Sequence, residues 1–214
     1  MCSSDLRDLM CSDDGFAEDV QELQYYFDDL HPNQAVKAIP GIGSHVPLRI
    51  LGSRFYGAHL SAHLGLPYAF ASHFAPDYLL DALATYRQMF KPSQQAQKPH
   101  AMVGVNVIAA ETDEEAQYLF TSLQQNFVRM RRNTRGQLPA PIHNIEEFWL
   151  PHEKVSVTQS LSYSVVGSLE TIQAGLRDIL AKTQADELII AGQIHHHQKR
   201  LRSFELAAKA LQSL

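Results

Sequence analysis

The stretch from Pro47 to Pro76 constrains the fold of this chain more than any other part of the sequence. It contains two short apolar runs, Leu48–Leu51 and Tyr68–Ala71, and each has about the length of a fully buried strand. Between them, residues 57–62 are rich in glycine, alanine and serine, which allows a helix to lie close against a sheet. Two buried strands joined by one helix form a βαβ unit, so we predict parallel strands with a right-handed crossover.

The alternation of strand and helix continues along the chain. Further strands are predicted at Ala101–Ala109 and Leu188–Ala191 from their apolar runs. The spacing of apolar residues predicts an amphipathic helix over Asp14–Leu30. Thr112 and Glu115 form a capping box that begins a long helix. The pattern indicates an α/β fold with four strands.

Composition narrows the class of protein. The chain has 214 residues, of which 45% are hydrophobic and 19% are charged, as in an ordinary soluble domain with one core. The net charge of −5 argues against nucleic acid as the main partner. The apolar runs are too short to span a bilayer, and two cysteines, Cys2 and Cys11, are too few for a disulfide framework. We therefore expect a cytoplasmic protein without a membrane or nucleic-acid partner.

The turn after the first predicted strand is the best candidate for binding a ligand. It lies between the carboxyl end of a strand and the amino end of a helix, where α/β folds bind ligands and where phosphates are favoured. The hydroxyl of Ser53 and the guanidinium of Arg54 add to the backbone amides there. The alternative is a simple β-to-α turn, in which Gly and Ser are common. The candidate residues are Gly52, Ser53, Arg54, Phe55, Tyr56 and Gly57.

Three polar residues near the ends of the next strands are weaker candidates. Ser72 and His73 end the second strand, so they point toward the same edge of the sheet. The alternative for this pair is a helix cap and a solvated histidine. Asn106 lies within the third strand, where a buried amide satisfied by its neighbours is the favoured role.

Other polar clusters favour structural roles. Val165–Ser168 is expected to lead into a helix, where Gly167-Ser168 is a second possible anion site but an N-cap role for Ser168 is favoured. Three consecutive histidines at His195–His197 do not share one face of a helix or strand, so no metal site is predicted. The arginines around the end of the long helix are interpreted as a solvated helix end; they are Arg129, Arg131, Arg132 and Arg135.

The run LGSRFYGAHLSAHLGLPYAFASHFAP, from Leu51 to Pro76, closely resembles the luciferase-like flavin-dependent monooxygenases. The resemblance extends through MVGVNVIAAETDEEA, SVVGSLETI, ADELIIAGQ and HHQKRLRSFELAA, and covers roughly Arg7 to the end. The family fold is a TIM (β/α)8 barrel. The resemblance implies that residues 7–214 are one domain corresponding to the carboxyl-terminal half of that barrel, about strands 5–8, with an insertion around 131–161. Members of the family usually have the motif LGSS, and in this chain Arg54 stands where the motif has its second serine.

The resemblance also implies a function. The cofactor would be FMN without a metal, its phosphate bound by the turn at 52–57, with Ser72, His73 and Asn106 on the side of the flavin ring or substrate. Reduced FMN, supplied by a flavin reductase or by NAD(P)H, would act with oxygen on a small organic substrate. The full-length form would be a homo-oligomer. No catalytic acid or base is identified.

Other hypotheses stay open at this point. One is a deazaflavin-dependent oxidoreductase of the same fold, and another is an inactive fragment or a half-barrel that needs a partner chain. A phosphate-binding barrel isomerase or aldolase fits the alternation but lacks a lysine or carboxylate at a recognisable strand end. Residues 1–6 are expected to be a non-native leader because their codons can spell the end of a common sequencing adapter, and the alternative is a natural amino terminus.

Overall fold

The computed structural model describes residues 15–134 and 136–213. The expected leader, residues 1–6, lies outside the described residues, as do both cysteines and Arg135. The chain forms two compact units, with the boundary between Arg49 and Ile50. None of the helices in the described ranges is long and apolar enough to cross a membrane.

The described part of the first unit contains the amphipathic helix α1, at Gly15–Phe27. The predicted helix over Asp14–Leu30 therefore ends three residues early. The reason lies in the loop that follows, because the His45 amide donates to the Phe27 carbonyl at 2.9 Å and the Gly43 amide donates to the next carbonyl at 3.0 Å. These bonds satisfy carbonyls at the end of the helix and turn the chain away from it.

The second unit is built on a parallel sheet covered by helices. The strands are β1 (Ile50–Gly52), β2 (Tyr68–Phe70), β3 (Ala101–Ala109), β4 (Ser164–Gly167) and β5 (Glu187–Ala191). The helices are α2 (Phe55–Leu64), α3 (Leu79–Met89), α4 (Asp113–Arg131), α5 (Pro151–Ser160), α6 (Leu169–Thr183) and α7 (His197–Leu211), and a 3-10 helix lies at Ile145–Glu147.

The long strand β3 organises the sheet. Asn106 in β3 pairs with Ser164 of β4 and with Ala191 of β5, so β4 and β5 lie on opposite edges of β3. β2 pairs with the beginning of β3 on the same edge as β4, and β1 extends the sheet beyond β2. Val165–Ser168 leads into α6 as predicted, but the count of four strands is corrected here. Most of this segment belongs to β4, which pairs with the end of β3.

The main core lies between the sheet and the helices on one of its faces. Alternate residues of β3, Val103, Val105 and Val107, point into this core and are at most 1% exposed. They pack among side chains of α2, α3, α6 and α7. Strand alternation sends the intervening residues to the other face. On the neighbouring strands, Leu51 of β1 is 62% exposed and Ile189 of β5 is 40% exposed, so apolar side chains of the sheet also lie at the surface.

The segment between α4 and β4 is fastened to the end of α4 by arginines. Arg132 forms a bidentate pair with the buried Glu153 of α5, both N···O distances being 2.7 Å. These bonds, helped by a backbone amide, lower the pKa of Glu153 to about 2. Arg131 donates to the hydroxyls of Ser156 and Ser160 at 2.9 and 2.7 Å. These two arginines are exposed, as a solvated helix end predicts, but they also bond to α5. Whether the segment around 131–161 is an insertion stays a prediction.

Candidate functional site

The carboxyl ends of the strands bring the predicted site residues to one edge of the sheet. β1 ends at Gly52, whose carbonyl accepts a hydrogen bond from the Ala71 amide at 2.9 Å. Ser72 and His73 follow directly on the chain, and β3 reaches the same level at Asn106. In parallel α/β folds this is the edge at which ligands bind.

The turn at 52–57 joins β1 to α2 without a side-chain cap. Arg54 occupies the N-cap position with an extended backbone (φ −146°, ψ 175°), and its side chain does not bond to the first turn of the helix. Ser53 is half-buried, whereas the guanidinium of Arg54 is exposed and forms no ion pair with a described residue. The positive end of the α2 dipole and a cation therefore lie side by side.

A buried tyrosine supports this turn from below. The Tyr68 side chain of β2 is 0% exposed, and its hydroxyl donates to the Arg54 carbonyl at 3.2 Å. Burial raises the pKa of the Tyr68 phenol, so the group remains a donor at ordinary pH. A Cβ at Gly57 would lie 3.2 Å from the Tyr68 ring and 3.6 Å from the Gly52 Cα. The turn is therefore packed closely onto the phenol.

Ser72, His73 and Asn106 form one connected cluster with Gly104 of β3. The Ser72 hydroxyl donates to the Gly104 carbonyl at 2.6 Å, and the Asn106 side-chain amide donates to the His73 carbonyl at 2.5 Å and to the Ser164 hydroxyl at 3.2 Å. Ser72 is 0% exposed and Asn106 is 2% exposed. Asn106 thus has the buried, bonded role that its position favours, and Ser72 is not a helix cap.

The imidazole of His73 lies over Gly104, on the sheet face opposite the main core. A Cβ at Gly104 would be only 2.5 Å from Nδ1 of His73, so the glycine makes room for the ring. Nδ1 is buried and has no hydrogen-bond partner among the described residues, and desolvation lowers the pKa of the ring. His73 is therefore a partly buried, neutral imidazole at neutral pH rather than a solvated one.

The second candidate anion site is filled by a carboxylate of the protein itself. Asp113, at the start of α4, accepts from the Ser168 amide at 2.6 Å and from the Thr171 hydroxyl at 2.8 Å. These bonds hold the pKa of Asp113 below its usual value. Ser168 occupies the N-cap position of α6 as predicted, but its side chain makes no capping bond to the helix. The Asp113 carboxylate bonds instead to the amide of the N-cap residue and to the Thr171 side chain.

Metal-ligating side chains converge at a different place from the histidine run. His196 lies at the N-cap of α7 and His197 begins the helix. Within the described ranges, Asp28, Asp29 and His45 have potential ligand atoms within 4.8 Å of one another, and these residues are partly or largely exposed.

Sequence reasoning missed a groove of about 290 Å³ beside the cluster. It is lined by Pro76, Asp77, Leu80, Asp81, Ser162 and Tyr163, from the start of α3 and the segment before β4. The Tyr163 carbonyl accepts from the backbone amide of Asn106 at 3.2 Å, so a lining residue of the groove is bonded to a residue of the cluster. The sequence gives little indication of this groove, because the two segments that line it are about eighty residues apart.

Proteins of known sequence are similar to this chain over almost its whole length. No model of a protein family matches it. A luciferase-like monooxygenase of Escherichia coli K12 is 51% identical over 210 residues, which are 98% of this chain and 63% of that protein. The uncharacterized protein YvbT of Bacillus subtilis is 43% identical over 204 residues, covering 95% of this chain and 61% of that protein. The chain thus spans about three fifths of the length of these relatives.

Solved structures share the fold. The crystal structure of apo-MsnO8 superposes with a TM-score of 0.83 at 29% identity, covering 96% of this chain and 62% of that one. The coenzyme F420 dependent tetrahydromethanopterin reductase of Methanopyrus kandleri has the same type of fold, with a TM-score of 0.52 at 11% identity. The parallel α/β architecture, the E. coli relative and the apo-MsnO8 structure agree, and this chain is a homologue of the luciferase-like monooxygenases.

Proposed function

We propose that this chain is the flavin-binding, carboxyl-terminal part of a flavin-dependent monooxygenase that uses reduced FMN and oxygen on a small organic substrate. The observation that carries the proposal is the turn at 52–57. There a helix without a side-chain cap, the Ser53 hydroxyl and the exposed Arg54 guanidinium meet at the ligand-binding edge of a luciferase-like fold. When bound and reduced, FMN supplies the electrons with which oxygen is activated.

The donor set of this turn fits a phosphate group. Helix amides and a hydroxyl donate hydrogen bonds, and a guanidinium adds a charge-assisted pair. At the other Gly-Ser turn, Asp113 already supplies the anion, so the same residues there offer nothing to a ligand. This contrast favours the turn at 52–57 as the phosphate site.

Ser72, His73 and Asn106 would lie on the side of the flavin ring or substrate. Ser72 donates to Gly104 of β3, Asn106 of β3 donates to the His73 carbonyl, and the His73 ring lies over Gly104. Because desolvation keeps the imidazole neutral, this surface offers a flat, uncharged ring rather than a cation. We infer that His73 positions the ring or the substrate and helps to exclude water, and we assign no proton transfer to it.

A deazaflavin is the second candidate cofactor. Two proteins with the same fold are described as F420-dependent, the reductase of Methanopyrus kandleri and a secondary alcohol dehydrogenase. Both likenesses are at 11% identity or below, so they support only the fold, and FMN remains the first choice. Competition between F420 and FMN for the same site, followed by fluorescence, separates the two.

We also propose that the chain corresponds to strands 5–8 of the barrel and acts with a complementary half. The order β1-β2-β3-β5 gives four neighbouring parallel strands, and within the described part of the chain β1 and β5 have no partner on their outer edges. Free edges and the exposed Leu51 and Ile189 favour pairing with another chain.

We expect residues 1–214 alone to aggregate or dimerise, to bind FMN weakly and to show no oxygenation. Light scattering and flavin titration test this, and a monomer that binds FMN at low micromolar Kd would overturn it.

The test of the phosphate site compares FMN with riboflavin, which lacks the phosphate. Fluorescence titration should show tighter binding of FMN, both with this chain and after addition of a complementary amino-terminal half. Ser53→Ala should weaken FMN binding by about 0.5–1.5 kcal/mol, the value of one hydrogen bond, and leave riboflavin binding unchanged. Equal affinities for the two flavins would show that this turn does not bind the phosphate.

The proposal also includes two partners, a flavin reductase that supplies reduced FMN and further copies of the full-length protein in a homo-oligomer.

A further inference from the structure

Tyr68 is a buried residue whose polar group is directed at the candidate phosphate turn. Its side chain is 0% exposed, and its hydroxyl has one hydrogen-bond partner among the described residues, the Arg54 carbonyl at 3.2 Å. A core position such as this one is ordinarily filled by a side chain without a polar atom, because a buried hydroxyl requires a partner. The bond therefore connects the core of the sheet to the backbone of the turn.

The contacts of the ring show that the turn is shaped around it. Positions 52 and 57, at the two ends of the turn, are glycines, and a Cβ at either would face the Tyr68 ring, at 3.8 Å from Gly52 and 3.2 Å from Gly57. Gly57 also begins the buried face of α2. Arg54, between these two glycines, has an exposed side chain and a carbonyl that points down to the phenol. Its backbone is thus held from the core side while its guanidinium is directed outward.

We propose that Tyr68 is the positioning residue of the phosphate turn. By holding the Arg54 carbonyl, its phenol fixes the backbone so that the first amides of α2 and the Arg54 guanidinium converge on one phosphate group. This inference rests on the proposed binding of a flavin phosphate at residues 52–57. Tyr68 itself would not touch the flavin, because it is buried beneath the turn.

The chain offers a matched control in Tyr86. This second tyrosine is also 0% exposed, its ring centroid lies 5.4 Å from that of Tyr68, and burial raises its pKa too. Its hydroxyl bonds to the Leu66 carbonyl at 2.9 Å and accepts from the His100 amide at 3.0 Å, away from the turn. Tyr68→Phe and Tyr86→Phe each remove one buried hydroxyl and keep the ring, so general effects on the fold appear in both variants.

The experiment measures FMN and riboflavin binding by both variants and by the unsubstituted chain, together with amide hydrogen exchange over 52–57. We expect Tyr68→Phe to weaken FMN binding about three- to tenfold, as the loss of one hydrogen bond predicts, with riboflavin binding unchanged. Amide exchange in the turn should be faster in this variant. Tyr86→Phe should keep both the FMN-to-riboflavin ratio and the exchange of the turn.

The possible failures are distinguishable. If the unsubstituted chain binds both flavins equally, the phosphate site is wrong and the binding role of Tyr68 falls with it. If the unsubstituted chain prefers FMN while Tyr68→Phe keeps that ratio and the exchange rates, the phosphate site stands and Tyr68 is only a core residue. Equal effects of the two substitutions would likewise overturn the inference, because they would report general loosening of the core.

Discussion

The two Gly-Ser turns of this protein have the same residues in the same kind of place, yet they present different chemistry. Gly52-Ser53 and Gly167-Ser168 each join a parallel strand to a helix. At the second turn, Asp113 from α4 bonds to the helix end, whereas at the first no side-chain cap is present and the exposed Arg54 adds positive charge. The dipeptide alone therefore does not define an anion site. What matters is whether another part of the fold delivers an anion to the same helix end.

The comparison extends to the glycines themselves. A Cβ at Gly167 would lie 2.5 Å from the Thr171 side chain and 2.6 Å from the Asp113 carboxylate, whereas at Gly52 the nearest atom would be 3.6 Å away. A side chain at position 167 would displace Asp113 or Thr171, whereas position 52 has room for a methyl group. Gly167 is packed tightly against the carboxylate of Asp113, and Gly52 is packed more loosely near the exposed Arg54. This difference distinguishes a structural turn from a candidate binding turn.

The largest expected effect comes from exchanging these glycines for alanine. Gly167→Ala should destabilise the protein by about 1–3 kcal/mol, because the added methyl group must displace Asp113 or Thr171. Gly52→Ala, the matched control, should change stability by less than about 0.5 kcal/mol. Urea unfolding of both variants measures the difference. Similar losses in the two variants would contradict the distinction between the turns.

Removing the internal anion should make the two turns alike. Asp113→Ala deprives the Ser168 amide and the Thr171 hydroxyl of their acceptor, so we expect a Tm lower by several degrees. Added phosphate or sulfate should then restore part of the lost stability. Glu114→Ala is the control, since it removes a neighbouring exposed charge in the first turn of α4 without touching α6. If phosphate stabilises both variants equally, the vacated helix end does not bind anions.

A smaller effect is expected when the cation at the other turn is removed. Arg54→Ser should weaken FMN binding about three- to tenfold and flatten its salt dependence, because one charge-assisted contact is lost. Riboflavin binding should not change, and Arg177→Ser, on the exposed side of α6, should leave FMN binding as it was. Tighter FMN binding after Arg54→Ser would show that the arginine obstructs the phosphate, and unchanged affinity and salt slope would show that it faces solvent.

The smallest effect is the pH dependence of the Asp113 contact. Hydrogen bonds from Ser168 and Thr171 lower the pKa of Asp113 below 3.8 in the folded protein. The contact therefore stabilises the protein above the unfolded-state pKa, and this contribution is lost as the pH falls through the lower folded-state pKa. The difference in Tm between the unsubstituted chain and Asp113→Ala should thus shrink between about pH 5 and pH 2. A difference that is constant over this range would show that protonation of Asp113 has no effect on stability.

Local patterns were sufficient to locate most of the architecture. The apolar runs near Leu48, Tyr68, Ala101 and Leu188 all overlap strands, and Thr112 caps α4 as its Thr-x-x-Glu motif predicts. β4 was missed because it is short and half of its residues are only half-buried. Its existence depends on pairing with β3, whose residues lie 58 positions earlier in the sequence. A pattern within a few residues cannot report a partner at that distance.

The sequence by itself determined the alternation of strands and helices, the family resemblance and the position of the turn at 52–57, because each is written in neighbouring residues. Only the tertiary structure decided which polar groups meet. It brought Asp113 to the second turn, placed the Tyr68 hydroxyl under Arg54 and laid His73 over Gly104. It also showed that Arg131 and Arg132, although exposed, bond to α5. These contacts join residues that are 14 to 55 positions apart in the sequence. They form only when the whole sheet and its helices pack together.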